Sequence, residues 1–119
     1  MKTLSRAGAV AALALSLLLP QLALAHAVLV SSSPEAHATV KGPEVAVHLK
    51  FNSRVDGVRS RIFLRLPNQQ TNSLQIEKQD APDTLKAHTT LKPGSYTILW
   101  QALSPDGHTT RGEIPFSVQ

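Results

Sequence analysis

The chain has no cysteine, and its single methionine is Met1. A chain without cysteine cannot form disulfides, so its fold must be held together by a hydrophobic core alone. It also offers no thiolate ligand, and Met1 would be lost with the N-terminal leader described below. A mature chain without sulfur donors is poorly suited to soft ions such as Cu(I).

Aromatic residues and excess charge are also scarce. The 119 residues include three Phe, one Trp and one Tyr, too few to indicate a polysaccharide-binding face. The formal net charge is +4, but Lys2 and Arg6 belong to the leader, and removing them lowers it to +2. This small excess gives no reason to predict nucleic acid as a partner.

The first 25 residues have the pattern of a secretory signal peptide. Lys2 and Arg6 precede the uncharged apolar stretch of residues 7–19, and Ala23-Leu24-Ala25 supplies small residues for cleavage. The alternative is a retained membrane anchor, but the apolar stretch is shorter than the roughly 20 residues that a spanning helix needs. We therefore predict a signal peptide over 1–25 and a single exported domain over 26–119.

Beyond residue 25, no segment has the periodicity of an amphipathic helix, whereas apolar and polar residues often alternate. In residues 96–102, Tyr96 and Trp100 share one face and are predicted to be core residues. Turn residues such as Pro93-Gly94 separate the alternating segments. About seven strands are predicted, near residues 27–30, 45–51, 62–66, 74–76, 85–89, 96–102 and 114–118. This pattern favours an antiparallel β-sandwich of immunoglobulin-like type.

His26 would become the first residue after cleavage, which makes it an unusual candidate ligand. An α-amine ordinarily has a pKa of about 7.7–8.0, so a metal can displace its proton near neutral pH. The amine and Nδ1 of the same residue can chelate one ion. Near the other end of the chain, Asp106 and His108 flank Gly107, and alternate residues of an extended segment point to the same side.

Together these residues provide two imidazoles, one amine and one carboxylate. A nitrogen-rich set with an oxygen donor suits Cu(II), and Zn(II) and Ni(II) are the competitors. Each part alone is a weak signal, because Asp-Gly-His is also an ordinary turn sequence and a terminal histidine is often only a mobile end. Together, on a β-sandwich, they predict a metal site at His26, Asp106 and His108.

Three further histidines lack a second donor at a suitable spacing. His37 follows Pro34 in a turn, His48 lies on the polar face of a strand, and His88 is near a strand end. All three are interpreted as surface or half-buried residues. His37 is the one whose contribution to the metal site stays open, because its segment could fold near the first strand.

Residues 26–119 resemble the CopC family of periplasmic copper-binding proteins. The resemblance is carried by His26-Ala27, Ser31-Ser32-Ser33-Pro34, Leu49-Lys50-Phe51 with Val55, Leu91-Lys92-Pro93-Gly94-Ser95-Tyr96, Trp100, Ser104-Pro105-Asp106-Gly107-His108 and Gly112. It implies an all-β, seven-stranded, immunoglobulin-like or cupredoxin-like Greek-key β-sandwich. It also implies Cu(II) ligation by His26, Asp106 and His108, and pairing with a CopD-type inner-membrane copper transporter.

The chain departs from the family pattern in three places. It lacks the Met-rich loop by which some members bind Cu(I), so no Cu(I) site is predicted. It has Thr109-Thr110 where many members have Pro-Val or Pro-Ile after the closing histidine, and it has His37 where small or acidic residues are commoner. Neither substitution removes a predicted donor.

The predicted function is that of a monomeric periplasmic Cu(II)-binding protein in copper resistance or homeostasis, which buffers copper or delivers it to the membrane partner. One alternative is a histidine-brace copper oxygenase acting on polysaccharide. Against it, the chain is short and poor in aromatic residues, and Asp106 would occupy a position that oxygen needs. The other alternative is an immunoglobulin-like interaction module without metal.

Overall fold

The computed structural model describes residues 26–119, so the predicted signal peptide lies outside the described residues. This part of the chain folds into eight strands: β1 (Leu29–Ser33), β2 (Thr39–Val40), β3 (Glu44–Phe51), β4 (Arg61–Arg65), β5 (Thr71–Leu74), β6 (Thr84–Thr90), β7 (Gly94–Leu103) and β8 (Thr109–Val118). Within residues 26–119, no helix is long and apolar enough to cross a membrane.

The strands form two sheets. The three-stranded sheet has the order β1-β3-β6, and the five-stranded sheet has the order β2-β8-β7-β4-β5. The predicted β-sandwich is therefore confirmed. The predicted number of strands is one too low, because β2 consists of only two residues that pair in parallel with Ser117 and Val118.

Several strand limits differ from the prediction. The first strand was expected at 27–30, but β1 spans Leu29–Ser33. Ala27 and Val28, ahead of it, are held by hydrogen bonds to Thr110 and Asn52 and not by strand pairing. The strand expected at 74–76 is β5, which ends at Leu74. The last strand was expected to begin at Ile114, yet β8 begins at Thr109, because its polar first half pairs with β7.

The alternating residues build the core between the sheets. In β3, Val45, Val47, Leu49 and Phe51 are buried and the residues between them are exposed. Tyr96 and Trp100 in β7 are both buried, as predicted, and share their face with Ile98 and Ala102. The rings of Phe51 and Trp100 meet edge to face, with centroids 5.2 Å apart. This contact joins the two sheets across the core.

Gly112 provides the space that the Trp100 indole occupies. The two residues are cross-strand partners in β7 and β8. A Cβ atom on Gly112 would lie 2.6 Å from Trp100 Nε1 and closer still to Cζ2, so no larger side chain fits without movement of the indole. The indole thus covers the backbone of β8 at a position where a side chain would normally project.

The β7–β8 hairpin determines where the candidate site lies. The two strands pair continuously from Gly94 opposite Val118 to Leu103 opposite Thr109. The loop of residues 104–108 therefore projects from one end of the five-stranded sheet. The N-terminal segment of the domain lies at this same end, because a residue ahead of β1 is hydrogen-bonded to the first part of β8.

Candidate metal centre

The first residues of the domain are fixed to both sheets. The side chain of Ala27 is only 1% exposed, and its carbonyl accepts a hydrogen bond of 3.0 Å from Oγ1 of Thr110 in β8. Val28 donates its N–H to Oδ1 of Asn52 at 2.8 Å and accepts the Asn52 N–H at 2.9 Å. Asn52 directly follows β3, so the segment is held by one sheet on each side.

This anchoring places His26 beside His108. The two imidazole rings lie edge to face, with centroids 5.0 Å apart. His26 is exposed, and the side chain of His108 is 51% exposed. Two of the three predicted ligands, although 82 residues apart in the sequence, are therefore close together and accessible to an ion in solution.

The loop that carries Asp106 and His108 is a compact turn. Ser104 donates its N–H to the His108 carbonyl at 2.8 Å, and Gly107 donates its N–H to the Ser104 carbonyl at 2.9 Å. Gly107 has a φ of 91°, a backbone conformation that favours glycine. Gly107 therefore supplies the positive φ that this turn requires.

Asp106 interacts with His108 through both carboxylate oxygens. Oδ1 accepts the backbone N–H of His108 at 3.1 Å, and Oδ2 lies 2.9 Å from its Nδ1. The backbone hydrogen bond from His108 is the main cause that lowers the pKa of Asp106, followed by the side-chain bond to His108, and the His26 imidazole acts in the same direction. The carboxylate is therefore kept in its charged form, which is the form that binds cations.

The three predicted ligands are neighbours, although they are not arranged around one point. Within residues 26–119, no three His, Asp or Glu side chains are already positioned to hold a metal ion. Because Nδ1 of His108 faces Asp106, Nε2 is the nitrogen of His108 that remains for a metal. Each carboxylate oxygen of Asp106 has two lone pairs, so the residue keeps capacity for a cation. The donor types fit Cu(II).

The other histidines lie elsewhere. His37 has a positive φ of 67° and donates its N–H to the carbonyl of Pro115, towards the far end of β8 from His108. His48 is exposed on β3, opposite Lys86. His88 on β6 contacts the carboxylate of Glu77. The expectation that these residues are surface histidines agrees with their placement.

Two residues of the site region carry no functional signal in the sequence. Thr110 stands out there only as a departure from the family pattern, and Asn52 belongs to none of the motifs. Both act through hydrogen bonds to backbone atoms of distant residues, and no local pattern indicates such bonds. The one feature of the sequence that could have drawn attention to Thr110 is a hydroxyl only two residues after His108.

Comparison with known proteins identifies the family. The family described as the CopC domain matches residues 29–119, which is most of the chain and nearly all of the described fold. The chain belongs to the CopC family. The resemblance carried by the short sequence motifs is confirmed.

Several relatives are similar over most of the domain. YobA of Escherichia coli K12 is 33% identical over 115 residues, covering 93% of this chain and 92% of that protein. Copper resistance protein C of Xanthomonas campestris pv. juglandis is 30% identical over 106 residues, covering 82% and 83%. Copper transport protein CutJ of Bacillus subtilis is 29% identical over 106 residues; the match covers 84% of this chain but only 19% of CutJ.

A solved structure supports the same assignment. The crystal structure of CopC from Methylosinus trichosporium OB3b superposes with a TM-score of 0.72 at 30% sequence identity, covering 79% of this chain and 94% of that chain. The chain is thus a CopC-family protein whose relatives include proteins named for copper transport and copper resistance. The names of these relatives favour the copper-binding prediction over the oxygenase and the metal-free module.

Proposed function

We propose that the chain, once cleaved after Ala25, binds Cu(II) in the periplasm through His26, Asp106 and His108. The proposal is carried mainly by the 5.0 Å separation of the His26 and His108 rings, which are far apart in the sequence. Copper is the protein's cargo. The protein buffers it, or delivers it to a CopD-type membrane transporter, as a monomer.

Each donor has a distinct part in this proposal. His26 provides its α-amine and imidazole as a chelate, and His108 provides a second imidazole through Nε2. Asp106 provides a negative charge and an oxygen, and it also orients the His108 ring by the contact with Nδ1. Nitrogen donors with a carboxylate and no sulfur favour Cu(II) over Cu(I).

The proposal makes cleavage a condition of binding. In the uncleaved chain the nitrogen of His26 is part of a peptide bond, so the amine donor does not exist. Export and processing would then create the site outside the cytoplasm and prevent the precursor from competing for cytoplasmic copper. This reasoning also explains why Ala27 and Val28 need firm attachment, since they fix the new N-terminus in place.

The first prediction compares the chain that begins at His26 with the same chain preceded by Gly-Ser. We expect the added residues to weaken Cu(II) binding by at least tenfold, since loss even of partners outside the coordination shell costs about 10–100-fold in metal affinity. Affinity is measured by competition with a chelator, and electron paramagnetic resonance counts the nitrogen donors.

The controls separate the site from incidental binding. His48→Ala and His88→Ala, in the chain that begins at His26, are expected to retain the parent affinity and spectrum. His108→Ala is expected to lose a nitrogen donor. If the Gly-Ser chain binds Cu(II) as tightly as the parent, the N-terminal amine is not a ligand and the proposed site is wrong.

A further inference from the structure

The anchor of the N-terminus is joined directly to β8, the strand that begins immediately after His108. Thr110 lies two residues after His108 on β8, and its hydroxyl donates to the carbonyl of Ala27, the residue next to His26. One hydrogen bond therefore links the two histidine-bearing segments, although its partners are 83 residues apart in the sequence.

Asn52 holds the same segment from the other sheet. Its side-chain oxygen accepts the Val28 N–H at 2.8 Å, and its own N–H donates to the Val28 carbonyl. Thr110 and Asn52 thus bind successive residues of the N-terminal segment from opposite sides. The position of the His26 backbone relative to His108 is set by these two contacts and by the buried methyl group of Ala27.

We propose that Thr110 and Asn52 are positioning residues for the copper site. They bind no metal themselves. They hold the backbone beside His26 so that its donors stand next to His108 before copper arrives, which lowers the entropic cost of ordering the terminus on binding. This inference rests on the proposed function, because it assumes that His26 and His108 bind the same ion.

A purely structural role makes a different prediction. If the Thr110 hydroxyl only stabilised β8, its removal would lower the stability of the fold and affect copper binding equally with or without the two donors of His26. If it positions His26, its effect on affinity depends on His26 being present. A double-mutant cycle measures this dependence directly.

The test uses Thr110→Val, which removes the hydroxyl and keeps the shape, in the chain that begins at His26. We expect its Kd for Cu(II) to rise roughly threefold to tenfold, the range that corresponds to losing one neutral hydrogen bond. The matched control is Thr109→Val, at the exposed neighbouring position on the other face of β8, which should stay within about twofold of the parent. Thr110→Ser restores a hydroxyl and should recover most of the affinity.

Two further measurements distinguish positioning from stability. The His26→Ala background also carries Gly-Ser before residue 26, so that both the imidazole and the amine donor are removed. In this background, Thr110→Val should change the residual Cu(II) affinity by less than about twofold. In the metal-free protein, nitrogen relaxation should show greater mobility of the Ala27 and Val28 amides in Thr110→Val than in Thr109→Val. Asn52→Ala removes the contact from the other sheet and carries the same predictions should Thr110→Val fail to fold.

The results that would overturn the inference are specific. The inference is wrong if Thr110→Val and Thr109→Val bind Cu(II) with equal affinity. It is also wrong if Thr110→Val weakens Cu(II) binding as much in the His26→Ala background as in the parent. If the parent and Thr109→Val themselves do not bind Cu(II), the proposed function fails. If both bind it and Thr110→Val binds it equally well, only the positioning role fails.

Discussion

Gly112→Ala tests the close packing of Trp100 against β8. The new Cβ would lie 2.6 Å from Trp100 Nε1 and closer to Cζ2, far inside ordinary carbon contact distance. The indole has little room to move, because it is only 7% exposed and its ring meets Phe51 at a centroid distance of 5.2 Å. The substitution therefore forces either the indole or the strand to shift.

The expected loss of stability follows from two opposing effects. Overpacking a dense core costs about 1–3 kcal/mol, and a clash with a confined ring belongs in the upper part of that range. Replacing glycine by alanine also stabilises the fold by about 0.4–1 kcal/mol, because it reduces the conformational entropy of the unfolded chain. The net loss is about 2 kcal/mol, which for a domain of this size lowers the melting temperature by about 8–16 °C.

Thermal unfolding followed by far-ultraviolet circular dichroism measures this loss, and the emission of Trp100, the only tryptophan, reports the displacement of the indole. Trp100→Phe provides the control, because the smaller ring should reduce the penalty of Gly112→Ala by at least half in a double-mutant cycle. A melting temperature within about 4 °C of the parent would refute the packing argument.

Two further predictions concern single turns. Arg59→Ala should raise the pKa of Asp56 towards its ordinary value, because the side-chain hydrogen bond from Arg59 is the main cause of its lowering; a carbon NMR titration that shows no change would contradict this. Since the folded pKa is the lower one, this ion pair contributes to stability above the unfolded pKa and ceases to do so as pH falls through the folded value. Gly107→Ala should cost about 1–2 kcal/mol of unfolding free energy through its positive φ alone, because a Cβ there meets nothing within 4 Å. Gly107→Asn should cost less, since asparagine tolerates positive φ, and equal losses in thermal unfolding would count against this explanation.

The buried faces of the strands could be predicted from sequence because burial on one side imposes a period of two. Residues 45–51 follow this pattern without exception in β3. The strand ends could not be predicted in the same way. The first half of β8 has no apolar alternation, and it is extended because β7 pairs with it, as Gln101 does with Arg111. The short β2 exists only through its parallel partner in β8.

The candidate site likewise combines residues that the sequence identifies with contacts between distant residues that it does not. His26, Asp106 and His108 could be selected by the chemistry of their side chains and by the cleavage pattern before His26. Their proximity depends on contacts that no local pattern encodes: Thr110 with Ala27, and Asn52 with Val28. The sequence therefore predicts which donors are available, and the fold determines how the terminal donor is held.

The pairing of a terminal histidine with the last hairpin has a topological consequence. An ion bound by both His26 and His108 would join these two residues, so that the polypeptide between them, which is most of the domain, would form a closed loop. In the chain-entropy description, closing a loop of this length removes on the order of 4 kcal/mol of freedom from the unfolded state. Small secreted domains commonly obtain such closure from a disulfide. In this cysteine-free chain, the cargo itself would act as a reversible cross-link, present when the protein is loaded and absent after delivery.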